Sequence, residues 1–133
     1  MSYVEPSYKV PSRTHLTQGL KRKHDEGIRE LTRTLKDPQI AVIGLTMDIW
    51  TSGLMEAFNT VTCHYVHPTE WHLVTCVLET VAFPGSHTGI RIAEFIKSTV
   101  RRFSLRNELV VGVVHDEAAD VNLAGKLLLH EMS

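Results

Sequence analysis

Leu45-Thr46-Met47-Asp48-Ile49-Trp50-Thr51-Ser52 decides how this chain is read. Ahead of it Ile40 to Leu45 is almost continuously apolar, the pattern of a strand buried on both faces. Asp48 then stands where that strand is expected to run out, a place from which a carboxylate can hold a metal or a proton at the rim of a sheet. Asp is also an ordinary first residue of a loop, so the stretch takes its weight from a second one. Leu109-Val110-Val111-Gly112-Val113-Val114-His115-Asp116 repeats the design, an apolar run followed by Asp. The interval between them has room for a hairpin and a crossover helix. If the two strands lie side by side, Asp48 and Asp116 project from the same end of the sheet.

Upstream, Pro11-Ser12-Arg13-Thr14 leads into a helix with Ser12 or Thr14 as N-cap. Leu16, Leu20, Ile28, Leu31 and Leu35 fall at helical spacing up to about Lys36, and Asp37-Pro38 ends the run. Gly19 and Gly27 each weaken that helix by roughly 1 kcal/mol relative to Ala. Residues 1–10 are polar with an early proline and are expected to be disordered.

Downstream, Thr51-Ser52-Gly53 reads as a loop and Ala57 to Val66 as a strand, with Phe58, Thr60, Thr62 and His64 alternating with Asn59, Val61, Cys63 and Tyr65. His67-Pro68-Thr69-Glu70 is a short turn, and Trp71 to Val81 the returning strand of an antiparallel hairpin. Phe83-Pro84-Gly85-Ser86 breaks the pattern before Thr88 caps a second helix. Its buried stripe is Ile92, Phe95, Ile96, Val100 and Phe103, with Arg91, Glu94, Lys97 and Arg101 outside. The strand Leu109–Val114 and a last helix from about Ala118 to Met132 complete the chain. The fold class is therefore a mixed α/β sheet of about four strands, with a helix at each end and a crossover helix. A right-handed crossover places the fourth strand parallel to the first. This is a truncated ribonuclease H-like arrangement, occupying residues 11–133.

A chain of 133 residues is one domain, and 43% hydrophobic content is enough for a core. The net charge of −1 gives no global signal for nucleic acid, so any affinity for DNA must come from local patches. Cys63 and Cys76 do not make a disulfide framework, and neither a signal peptide nor a membrane span is visible, which makes an intracellular compartment the default. Lys21-Arg22-Lys23-His24 is a candidate phosphate contact and, more ordinarily, the solvated face of a helix.

The segment Leu45–Ser52 resembles the T-T-D-x-W-T-S segment of hAT transposases and of their domesticated relatives, the zinc finger BED domain-containing proteins. The resemblance continues through Val61-Thr62-Cys63-His64-Tyr65-Val66, Leu78-Glu79-Thr80 and Phe83-Pro84-Gly85-Ser86-His87-Thr88. It ends with Val113-Val114-His115-Asp116-Glu117-Ala118-Ala119-Asp120, which is similar to the family's V-V-T-D-N-A-A-N block. Pro11-Ser12-Arg13 also looks like the family's lead-in, so the blocks cover roughly Val10 to Met132.

The resemblance implies a ribonuclease H-like core with two aspartates and a glutamate around divalent metal, Mg²⁺ or Mn²⁺, that activates a water or 3′-hydroxyl for DNA cleavage and strand transfer. By position Asp48 matches the first aspartate and Asp116 the second, as catalytic residues and metal ligands alike. Trp50, Thr51 and Ser52, with Lys21, Arg22 and Lys23, are the candidate DNA contacts. The family's third acid lies beyond a further strand and a helical insertion, past Ser133, so the expectation is a fragment or domesticated remnant without catalytic activity by itself. Glu117 and Asp120 replace amides of the family block, and added negative charge there repels a DNA backbone. Two other readings stay open. One is a non-enzymatic nuclear module binding DNA or protein; the other is a metal-dependent nuclease completed by a partner chain.

Without its final strand, Leu109–Val114 is expected to be an open apolar edge that pairs with a second copy or a full-length relative. Glu94 and Glu117 are the nearest alternative acids, and each is explained by its place on a helix. Cys63, His64, His67, His72 and Cys76 lack the spacing of a zinc finger, and alternation along a hairpin sends neighbours to opposite faces. Trp50 is expected to pack at the edge of the core. Arg101, Arg102 and Arg106 are expected to suit the helix dipole.

Overall fold

The computed structural model describes residues 9–115. The last helix read from the sequence, Asp116 itself, and all but Lys9 and Val10 of the N-terminal segment lie outside them. Helix α1, Arg13–Leu35, is followed by strands β1, Ile43–Thr51, β2, Ala57–Val66, and β3, Leu73–Ala82. Helix α2, Gly89–Arg102, then leads through a short 3₁₀ turn at Asn107–Leu109 to β4, Val110–His115. The sheet order is β3-β2-β1-β4, with β1 antiparallel to β2 and β2 to β3, and β4 parallel to β1. This is the mixed α/β, ribonuclease H-like topology that the strand and helix order implies.

Both helices start where side chains cap them. Ser12 accepts from the His15 amide at 3.2 Å, and Thr88 from the Arg91 amide at 3.4 Å. The end of α2 is a Schellman turn: the Leu105 amide bonds Val100 O and the Ser104 amide bonds Arg101 O, both at 3.0 Å. Ser104 supplies the left-handed residue with φ 52°. Before α2, Gly85 at φ 88° turns the loop, and Arg91 ties it down by donating to Pro84 O and Ser86 O over the Phe83 ring.

One face of the sheet makes the core. Ile43, Leu45 and Met47 of β1 and Val61, Cys63 and Tyr65 of β2 pack with Ile92, Ile96 and Val100 from α2 and with Phe103 at its C-cap. Leu35 and Ile40 close it at the α1 side. The lower half of α1 joins through Ile28 and Leu31, whereas Leu16 and Leu20, read as part of the same stripe, are largely exposed among the described residues. Arg106 reaches back to Asp37 O and Ile40 O and pins the α1–β1 linker to the end of α2.

The first strand departs from its sequence reading. Ile40 is buried but lies before the strand, where its amide bonds Asp37 O. β1 begins at Ile43 and runs past Asp48 to Thr51, alternating between faces rather than burying both. Asp48 is thus a residue within the strand, not its terminus. The returning strand also starts later than expected, at Leu73, because Trp71 adopts φ 54° and ends the turn.

Candidate functional site

Alternation along β1 sends Thr46, Asp48 and Trp50 to the outer face of the sheet, opposite the core residues Leu45 and Met47. β2 contributes Phe58, Thr60 and His64 to the same face, and β3 contributes Thr75 and Thr80. Two chains of hydrogen bonds cross it. Trp50 Nε1 donates to Thr60 Oγ1 at 3.1 Å, and Thr60 meets Thr80 Oγ1 at 3.0 Å. Thr46 Oγ1 lies 2.9 Å from His64 Nε2, whose Nδ1 lies 3.1 Å from Thr75 Oγ1. Asp48 sits between these chains, exposed, with Thr60 as its partner across β1 and β2.

Trp50 overturns the expectation that it packs at the edge of the core. It lies on the outer face, 42% exposed, with its ring stacked on Phe58 at 4.9 Å. The signal was present in the two-residue spacing from Asp48 to Trp50, which forces both onto one face. Thr51 ends β1, and Ser52 takes up the turn, its Oγ accepting from the Leu54 and Glu56 amides. Lys21, Arg22 and Lys23 lie exposed on α1, with Arg22 4.0 Å from Glu26.

Asp116 lies outside the described residues, but the residue before it does not. β4 pairs with β1 in parallel register from Gly44↔Gly112 to Met47↔His115, and Asp48 and Asp116 are the next residues along their chains. A Mg²⁺-type ion takes hard oxygen ligands in a closed set. Asp48 offers one carboxylate, and the Thr46 and Thr60 hydroxyls beside it are engaged with His64, Trp50 and Thr80. Among the described residues no group of three His, Cys, Asp or Glu side chains converges on a metal position. The described residues therefore do not make up a metal-binding set on their own.

The hairpin histidines and cysteines do not form a shared site. Cys63 and Cys76 face the core and His64 the outer surface, while His67 and His72 stack with their rings nearly parallel at 5.2 Å. Glu79 carries a connection that the sequence did not reveal. It lies in β3 on the core side and accepts from the Thr99 hydroxyl and from Arg102 Nη1, the latter at 2.7 Å. Arg102 is therefore half of an ion pair that clamps α2 to the sheet, beyond its suitability for the helix end. Glu94 is exposed on α2, and Glu117 lies outside the described residues.

The topology and the strand-borne Asp48 define a ribonuclease H-like α/β domain. The family model for the ZBED1 RNase-like domain matches residues 46–133, and the chain belongs to that family. The family is transposase-derived. No curated protein matches the chain. Among the described residues no helix is long and apolar enough to cross a membrane.

Proposed function

We propose that the chain is a remnant of a hAT-type transposase core in non-enzymatic use, a nuclear domain that binds DNA or a protein partner and does not cleave DNA by itself. The observation that carries the reading is the parallel register of β1 and β4, whose last described pair, Met47 and His115, immediately precedes Asp48 and Asp116. Two carboxylates that come next in the chain after that last pair suit the ancestral metal-ligand positions. Charge argues against retained cleavage: Glu117 follows Asp116 directly and Asp120 comes three residues later, and a phosphate backbone is repelled by acids at that place. Trp50, Thr51 and Ser52 at the end of β1 and Lys21, Arg22 and Lys23 on α1 are the proposed DNA contacts.

Relaxation of supercoiled plasmid in Mn²⁺ tests this, comparing the natural chain with Asp48→Asn and Asp116→Asn. The expected result is the same background for all three. The same register favours a second reading, a nuclease site completed by a partner chain. Nicking by the natural chain that either substitution abolishes would overturn the non-enzymatic reading in favour of it.

A further inference from the structure

The two cysteines of the sequence are register partners across β2 and β3: Cys63 stands opposite Cys76. Both side chains lie on the core face, Cys63 fully buried between Val61 and Tyr65, and Cys76 partly buried on the edge strand. Directly opposed residues of an antiparallel pair have Cα atoms about 4.5–5.5 Å apart, inside the roughly 4.4–6.8 Å that a disulfide spans. The bulge between Val61 and Thr62 shifts the register just before this pair and brings the two cysteines into line. Interaction with Cys76 and then burial push the Cys63 thiol up, and interaction with Cys63 lowers Cys76. Cys76, on the edge strand, is thus the more accessible and the more readily ionised of the two, and the buried Cys63 is held as a thiol.

We propose that Cys63 and Cys76 are a built-in dithiol that closes to an intramolecular disulfide on meeting a small disulfide oxidant such as oxidised glutathione. The Cys76 thiolate attacks one glutathione sulfur; a mixed disulfide forms, the glutathione S–S bond breaks, and one glutathione leaves as its thiolate. Cys63 yields its proton to that thiolate and attacks the Cys76 sulfur, displacing the second glutathione. Two protein thiols lose two electrons and two protons, and one glutathione disulfide becomes two glutathione thiols. The product staples the β2–β3 hairpin through its core face, and glutathione in its reduced form reverses it.

The full chain is incubated with oxidised glutathione and followed by intact mass and by thiol titration in denaturant. Both thiols are expected to disappear together, with the mass lower by two hydrogens, no glutathione retained and no covalent dimer. Cys63→Ala is expected to stop at a glutathione adduct on Cys76. Cys76→Ser is expected to leave Cys63 unreactive in the native state and reactive only once unfolded. A natural chain that ends as a stable glutathione adduct or a disulfide-linked dimer would overturn the proposal. So would one that keeps both thiols under conditions that convert Cys63→Ala, or rapid reaction of native Cys76→Ser.

Discussion

Glu79 and Asn59 show how much a single side chain decides in this core. The Glu79 side chain is only 10% exposed and satisfies both the buried Thr99 hydroxyl and Arg102. Glu79→Ala removes the acceptor of Arg102 and leaves the Thr99 hydroxyl with Phe95 O alone, at 3.1 Å, and is expected to cost about 1–3 kcal/mol. Arg102→Ala leaves the nearly buried Glu79 carboxylate with the Thr99 hydroxyl alone and is expected to cost about 1–3 kcal/mol as well. Urea denaturation midpoints check both; an unchanged midpoint for either variant would contradict the clamp. Asn59 is fully buried, donates only to Met47 Sδ, and its Oδ1 has no partner among the described residues. An unpaired buried carbonyl costs roughly 1–3 kcal/mol, so Asn59→Leu, similar in volume, is expected to raise the midpoint. A lowered midpoint would contradict this.

At the scale of elements, the cap and the turn of α2 carry opposite expectations. Thr88→Ala removes the acceptor for the Arg91 amide and is expected to cost about 1 kcal/mol. Ser104→Gly is expected to stabilise by about 1 kcal/mol, because Ser104 bears a left-handed φ that glycine adopts without a Cβ penalty. Thermal melts of the two variants should move in opposite directions; a fall for Ser104→Gly would count against the Schellman geometry. The cap of α2 and the strand β2 were legible because their signals are local: a threonine before an apolar stripe, and alternation along Ala57–Val66. β1 was misread because contiguous apolar residues do not declare their period. Ile40, Ala41 and Val42 precede the strand, and the small Gly44 and polar Thr46 on its outer face left an apolar-looking run. The Cys63–Cys76 and Glu79–Thr99–Arg102 pairings were not legible at all. The first depends on a bulge and the second on the docking of a helix, and both are fixed by tertiary packing.

At the scale of the molecule, the topology followed from element order alone, whereas the candidate site was legible only in part. Asp48 could be picked out from the sequence, but its exposed place among threonines and Trp50 required the strand to be known. The sheet has two edges among the described residues, β3 and β4, and β4 exposes Val111 and Val114 at 64% and 67%. Such an edge pairs readily with another chain, and the expected behaviour is concentration-dependent self-association. Sedimentation that stays monomeric as concentration rises would contradict it.

The functional account rests on β1 and β4 running side by side in the same direction, with Met47 opposite His115, the residues that immediately precede Asp48 and Asp116 in the chain. NMR contacts between backbone protons of the two strands test it most directly. The account predicts contacts advancing in the same sense along both strands, from Gly44 with Gly112 through Leu45 with Val113 to Met47 with His115. Contacts that advance in opposite senses, or pairing of β4 with β3 instead, would contradict it.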